Sequence, residues 1–496
     1  MRSLYLKARH RLAPVSRWQR RSPRCIGRPD APRYNVDTMP GFLSGLLEML
    51  RERRGSDMRF LCRRLLSERG EASQTVLAAR IINAYTGMSA TDRPQFFEML
   101  CREFGPDPAV ISRAAAEYEK NPSADNLATL FTAVEPPRQE LIRRINTAPH
   151  GTETLVAMRG HLLELAGSNG ANLSALDADL KHLFKSWFNR GFLRLERISW
   201  QTSARILEKL IRYEGVHEIN GWPDLHRRLE ADRRCFAFFH PALEDEPIIF
   251  IEIALSNRLV GELEPLLDVQ APVLATEKAK TAIFYSINNC LRGLRAVPFG
   301  NFLIKQVVAE LAAELPDVKT YATLSPLPRF SQVLGDNQNL DGFTRERLSR
   351  LLADYAEELT SATHEHDPVE AFLQLLQMPV ANRKILTAPL ERLALAYLTL
   401  VREGGKLCDP VATFHLSNGA RLERINAFAN LRPYGLAASY GVTVNYRYLP
   451  DEVEENHEQF VRNGKIRLAG SLLRDFHAVS AAWQTGQRSP QRGKPS

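Results

Sequence analysis

From residue 41 to about residue 190 the apolar positions recur every three or four residues, the spacing that collects them on one face of a helix. "GFLSGLLEMLRERR" aligns Phe42, Leu46, Leu47 and Leu50, with arginines following. "PSADNLATLFTAV" opens on a Ser/Asp cap signal and "PPRQELIRRI" on a proline in the first turn. "SALDADLKHLFKSWFNRGF" keeps Leu176, Leu180, Leu183 and Phe184 in phase until Gly191 offers a stop. No convincing repeat of fixed period runs through these segments, so the pattern predicts a bundle and not a solenoid.

Beyond about 190 the texture changes. "RCFAFFHP", "EPIIFIEIAL", "KTAIFYSI" and "VKTYATL" are β-branched or aromatic runs bounded by Pro, Asp, Asn and Ser, which predicts strands. Between the last two lies "GNFLIKQVVAELAAELP", a helix with Phe302, Leu303, Val307, Val308 and Leu311 on one side. A second helical block spans roughly 343–405, strands resume with "ARLERINAF" and "VTVNYRYL", and a closing helix covers about 452–484. The predicted fold class is α+β: a helical-bundle domain over 41–190, then a mixed-sheet domain over 191–496 with a helical insertion at 343–405. The polar tail from about 485 is expected to be disordered.

Charge narrows the function classes. The net charge of +8 resides in residues 1–40, which hold ten Arg and Lys against Asp30 and Asp37, so 10 − 2 = +8. The remainder carries 65 − 10 = 55 basic and 57 − 2 = 55 acidic residues and is neutral. A nucleic-acid binder would cluster cations on its folded part, so nucleic acid is not an expected partner. The Arg-rich N-terminus reads as a mitochondrial transit peptide in a eukaryote. In a bacterium it reads as a disordered extension, or as an early start with Met39 opening the folded part. No run of 18 uncharged apolar residues occurs, so no membrane-spanning helix is expected. The scattered cysteines (Cys25, Cys62, Cys101, Cys235, Cys290 and Cys408) have no CxxC spacing and point to a reducing compartment.

Three stretches carry candidate chemistry. In "TYATLSPLPRF" an apolar run ends on Ser325, fenced by Pro326 and Pro328. Each proline locks its own φ and biases the preceding residue towards extended geometry, so the hydroxyl is held. It is either a strand-capping serine or a reactive one. In "AIFYSINNCLRGLRAVPFGNFLIKQ" a strand leads through a loop with Arg292, Gly293, Arg295 and Gly300 into a helix, whose N-terminal N–H groups favour an anion such as a pyrophosphate. An ordinary strand-to-helix turn is the alternative. In "CDPVATFHLSNGARLERINAF" His415 sits before the turn "SNGA", at the expected mouth of a hairpin, and an imidazole is suited to moving a proton near neutral pH. "THEHDP" (363–368) lacks the partners of a metal site and reads as a solvated loop. "HPALEDEP" (240–247) reads as a turn whose carboxylates face water.

Five segments, "WFNRGFLRLERISW", "AIFYSINNCLRGLRAVPFGNFLIKQVVAEL", "TLSPLPRF", "FHLSNGARLERIN" and "NYRY", resemble the malonyl-CoA decarboxylase family in order and approximate spacing. The resemblance is strong from about 170 to 450 and weaker in the helical region. It implies a helical oligomerisation domain, a catalytic domain like the N-acetyltransferase (GNAT) fold, and a homotetramer. It also implies conversion of malonyl-CoA to acetyl-CoA and CO₂ with no organic cofactor and no metal. By that resemblance Ser325 and His415 are the catalytic pair, Ser325 orienting the carboxylate and accepting a proton, His415 donating one. The acyl-CoA loop matches Arg295, Ala296, Val297, Pro298, Phe299, Gly300 and Asn301. Pro298 stands where the acetyltransferase-type loop has its first glycine and animal members carry glutamate, so one phosphate-facing N–H is missing. The C-terminal "KPS" lacks the peroxisomal Ser-Lys-Leu signal of animal forms. The expected location is cytoplasmic, or the mitochondrial matrix in a eukaryote. The alternatives are a CoA-dependent acyltransferase on the same fold and a non-enzymatic helical scaffold.

Overall fold

Capping residues start several of the helices that the periodicity predicts. A computed structural model describes residues 57–165, 173–297, 303–335 and 342–484. Its helical region contains α1 (Glu71–Thr86), α2 (Arg93–Glu103), α3 (Pro108–Lys120), α4 (Ala124–Val134), α5 (Pro137–Asn146), α6 (Gly151–Leu165) and α7 (Ser174–Trp187). Ser123 caps α4 by accepting the Asn126 N–H at 3.2 Å, and Asp107 caps α3 by accepting that of Ala109 at 2.8 Å. On α7, Leu176, Leu180, Leu183 and Phe184 are buried, as their phase requires. Phe42, Leu46, Leu47 and Leu50, and the tail from 485, lie outside the described residues.

The sheet follows with β1 (Arg194–Ile198), β2 (Arg233–Phe239), β3 (Pro247–Ser256), β4 (Thr281–Asn289), β5 (Thr320–Thr323), β6 (Ser325–Pro326), β7 (Arg421–Asn426) and β8 (Thr443–Tyr448). These eight strands lie in the order β1-β2-β3-β4-β5-β8-β6, with β7 also paired to β8. All pairs are antiparallel except β4 with β5, which run parallel from Thr281 opposite Thr320 to Phe284 opposite Thr323. Parallel neighbours need a crossover, and α10 (Leu303–Glu314) supplies it. One parallel step joined through a helix, with antiparallel pairs on both sides of it, makes this the mixed sheet that the α+β pattern predicts. The insertion is helical as predicted, with α11 (Arg345–Leu352), α12 (Pro368–Leu375) and α13 (Arg383–Thr399).

Several features depart from the pattern. Edge strand β1 was not predicted, although its pentapeptide RLERI recurs at 421–425 in β7, which was. Two further helices between β1 and β2, α8 (Ala204–Tyr213) and α9 (Trp222–Arg228), were likewise not predicted. The closing helix is two, Val453–Asn463 and Gly470–Gln484, because Gly464 takes a left-handed conformation (φ 63°) that ends the first. In the turn at 240–247 Glu246 does not simply face water: it accepts from Lys209 and from the Tyr213 hydroxyl.

One apolar core runs from Met58 and Leu65 through Phe184 and Phe238 to Val479, so helices and sheet share their interior. A buried ionic cluster braces the other face. Arg228 of α9 is 2% exposed and binds Asp224 at 3.0 Å and Glu252 of β3 at 2.7 Å, together with the carbonyls of His217 and Glu218. This ties the segment after α8 to the sheet.

Candidate active site

The site forms where two neighbouring strands part. β5 stays beside β4 through Thr323, and the Leu324 N–H still reaches the Phe284 carbonyl at 2.9 Å. From Ser325 onward the chain pairs with β8 alone, while β4 continues against β3 to Asn289. The β3–β4 register skips Tyr285, a bulge that leaves this residue without a ladder partner. A cavity of about 500 Å³ opens in the resulting split. Its walls are mostly apolar, with Ile249, Ile251, Phe284 and Phe414 among them, and Ser325, His415, Asn288 and Asn418 add polar groups.

Ser325 is 5% exposed and doubly engaged, its Oγ 2.8 Å from the Thr323 hydroxyl and 3.0 Å from His415 Nε2. Thr323 Oγ1 in turn accepts the Tyr446 N–H at 3.1 Å, which fixes it on β8. The structure thus joins the serine and histidine picked out in the sequence, 90 residues apart in the chain.

His415 reaches the site on different scaffolding from that expected. It does not stand at a hairpin but on α14 (Pro410–Ser417). The Asp409 side chain caps this helix by accepting the Ala412 N–H at 2.8 Å, and Pro410 fits its first turn. Asn418 ends it, and Gly419 at φ 80° makes the turn, packed so closely that a Cβ would lie 2.0 Å from the Val453 carbonyl oxygen. The Tyr397 hydroxyl donates to Asp409 at 2.9 Å, bracing the cap from α13.

The imidazole is held on both sides. Nδ1 lies 2.8 Å from the Tyr448 hydroxyl, and the ring stacks on Tyr446 with centroids 4.7 Å apart. Burial alone pushes its pKa down to about 3, so the resting imidazole is neutral. Burial also pushes the Tyr448 phenol well above its ordinary value. Thr323, Asp409, Tyr446 and Tyr448 are site residues that sequence reasoning missed. The Asp-Pro cap signal and the alternation in "NYRY" were visible, but neither says which hydroxyl meets which ring.

The loop expected from the resemblance to bind acyl-CoA is fastened from the helical region. Arg159 of α6 is 1% exposed and donates to the carbonyls of Gly293 at 2.6 Å and Arg295 at 2.9 Å, and to Asp177 at 2.8 Å. Gly293 lies so near α6 that a Cβ would fall 1.9 Å from the Val156 carbonyl oxygen. Arg292 faces away and pairs with Glu164 at 2.5 Å. Arg295 is exposed, Ala296 adopts φ 59°, and Val297 lines the same cavity as Ser325 and His415. Pro298, Phe299, Gly300 and Asn301, and with them the expected anion-binding helix start, lie outside the described residues. Among the described residues no three His, Cys, Asp or Glu side chains converge as metal ligands. In "THEHDP" Asp367 caps α12 and pairs with Arg345.

Comparison with known proteins identifies the family. Family profiles described as the malonyl-CoA decarboxylase C-terminal and N-terminal domains match residues 191–485 and 104–188. A mitochondrial malonyl-CoA decarboxylase of Anser anser anser is 33% identical over 80% of this chain and 82% of its own length. Its Mus musculus counterpart is 30% identical over 82% and 87%. The crystal structure of malonyl-CoA decarboxylase from Rhodopseudomonas palustris shares 42% identity at a TM-score of 0.74, covering 85% of this chain and 99% of the other. That from Agrobacterium vitis shares 40% at 0.73, covering 86% and 99%. With both halves of the chain matched in order and the relatives nearly covered, this protein belongs to the malonyl-CoA decarboxylase family.

Proposed function

We propose that this protein converts malonyl-CoA to acetyl-CoA and CO₂, with Ser325 and His415 as its catalytic pair. The observation that carries the reading is the 3.0 Å contact of Ser325 Oγ with His415 Nε2 at the edge of a cavity between diverging strands. Malonyl-CoA carries its carboxylate β to a thioester carbonyl. When the C–C bond breaks, its electron pair enters that carbonyl as an enolate and CO₂ departs, so the substrate supplies its own electron sink. The protein has to orient the carboxylate, stabilise the enolate oxygen and protonate the α-carbon. The bulge at Tyr285 is the candidate source of a backbone donor for that oxygen. Losing one such donor typically costs about 3 kcal/mol of transition-state stabilisation.

The proton comes from the hydrogen-bonded chain. At rest the Tyr448 O–H donates to Nδ1 and Nε2–H donates to Ser325, whose own hydroxyl points at Thr323. A thioester enolate is a stronger base than an alkoxide, so it takes the Ser325 proton. Nε2–H refills the serine, the Tyr448 proton refills Nδ1, and water restores Tyr448 as the product leaves. In this sequence of steps Ser325 hands the proton to carbon and His415 acts as donor one step back, to Ser325, in place of the direct donation expected of it from the resemblance. Purified protein given malonyl-CoA, with no added metal or cofactor, should release CO₂ and acetyl-CoA one for one; an acyl group transferred to an amine without CO₂ would sink the reading.

The neutral imidazole sets a pH expectation. Loss of CO₂ is the first irreversible step and consumes no proton, and His415, with a pKa pushed down to about 3, does not titrate in the neutral range. A profile of kcat/KM reports groups of the free enzyme and the free substrate, so with malonyl-pantetheine, which carries no titrating phosphate, it should be flat from about pH 5 to pH 8. A limb with an inflection near 6.5 would show an imidazolium at work.

The helical region 41–190 is proposed as the oligomerisation domain of a homotetramer, distinct from the catalytic part 191–496. In its support, α4 buries none of its own residues within the chain, and Leu127, Phe131 and Val134 are exposed. Phe131→Glu should reduce the sedimenting mass while leaving the melting of the protomer intact; an unchanged mass would remove this face from the interface. The goose and mouse relatives are named mitochondrial. The same location is proposed here for a eukaryotic source, with residues 1–40 as the targeting segment.

A further inference from the structure

A second opening lies beside the acyl-CoA loop on the side of the helical region. It is a cleft of about 510 Å³ lined by Ala178, Lys181, His182 and Lys185 of α7 and by Ala296 and Val297 of the loop. Val297 also lines the catalytic cavity, so the two openings meet at one side chain. The cleft is cationic without compensation. The neighbouring acids of α7 are engaged elsewhere: Asp177 with Arg159 at 2.8 Å, Asp179 with Arg138 and with Gln139 at 2.6 Å. Among the described residues neither Lys181 nor Lys185 has an ion-pair partner. Unpaired like charges along a concave wall repel one another and favour an anion between them. The wall and the loop hold a fixed relation, because Arg159 anchors the loop carbonyls while its Nε grips Asp177 at the start of α7.

We propose that this cleft receives the phosphate end of the CoA substrate, Lys181 and Lys185 contacting its phosphate oxygens while the thioester lies at Ser325. This rests on the decarboxylase reading above. A CoA thioester is suited to the arrangement: its acyl end is small and reactive, its arm is long and uncharged, and its far end carries a pyrophosphate and a 3′-phosphate. An apolar cavity that shares Val297 with a cleft walled by ammonium groups matches that order of chemistry. The helical region then has a part in substrate binding that its oligomerisation does not require.

The test contrasts substrates with and without the nucleotide. In Lys181→Gln/Lys185→Gln, at one half-buried and one exposed position, KM for malonyl-CoA should rise about tenfold with kcat unchanged, as expected for two lost charge-assisted contacts. KM for malonyl-pantetheine, which has no phosphate, should stay at the wild-type value. An unchanged KM for malonyl-CoA, or an equal rise for both substrates, would overturn the assignment. Calorimetry with CoA and with pantetheine reads the same contrast without turnover. A wild-type protein that binds CoA but releases no CO₂ would therefore refute the decarboxylase reading and leave the cleft to be judged on its own. Dephospho-CoA separates the two phosphate sources. Equal binding of it by variant and wild type assigns the lysines to the 3′-phosphate, and weaker binding by the variant assigns them to the pyrophosphate.

Discussion

Ser325→Ala should lower kcat for CO₂ release by about 10²–10⁴-fold, the usual contribution of a positioned proton-transfer group, and His415→Ala by a similar factor. The serine variant is the cleaner of the two. It removes one oxygen from a residue whose backbone remains paired to β8 at Val444. The histidine variant also empties a space against Tyr446 and Tyr448. A thermal melt of both separates lost chemistry from lost folding. Tyr448→Phe provides a graded control: it keeps the ring and removes the 2.8 Å contact to Nδ1, so it should cost more turnover than stability. Wild-type turnover in Ser325→Ala would remove the hydroxyl from the mechanism.

The largest expected loss of stability lies away from the pair, at Arg228. Its guanidinium joins Asp224 and Glu252 in a site from which water is excluded, Glu252 being 2% exposed. Arg228→Met would fill much of the same volume but leave two carboxylates and two carbonyls without their donor. Breaking one partner out of a buried ionic cluster costs about 3–5 kcal/mol, which should appear as a lower denaturant midpoint and melting temperature. The double variant Arg228→Met/Glu252→Leu should recover part of that loss, because the strand carboxylate that needs the cation goes with it. If the single variant melts like wild type, the cluster is not what holds the segment after α8 against the sheet.

Local signals in the chain announced most of the framework. Apolar spacing on α7, the Ser123 cap and the aromatic runs of β2 to β4 act over one or two turns or a few pleats, so they can be read before any partner is known. Where the local signal was mixed, it misled. "RLERI" occurs at 194–198 and again at 421–425, and the pattern predicts a strand only at the second; "TFHLSNG" reads as extended until Asp409 is seen to cap a helix through it. The closing helix broke at Gly464 for a reason the residue type contains, but a glycine alone does not say whether a helix ends there or bends.

The chemistry divides in the same way. The amino-acid sequence by itself determined that a stiffened serine and a histidine exist in segments resembling a decarboxylase family, and that the body of the chain is neutral. Only the tertiary structure decided that Ser325 Oγ and His415 Nε2 lie 3.0 Å apart, that Tyr448 and Thr323 complete the chain, and that α6 fastens the loop. Apart from Thr323, which is two residues from Ser325, those contacts join residues 33 to 134 positions apart. They depend on where β4 and β5 diverge and on which helix face packs against which strand, and a neutral imidazole is likewise a product of enclosure. Such quantities are properties of the packed whole, and no window of neighbouring residues contains them.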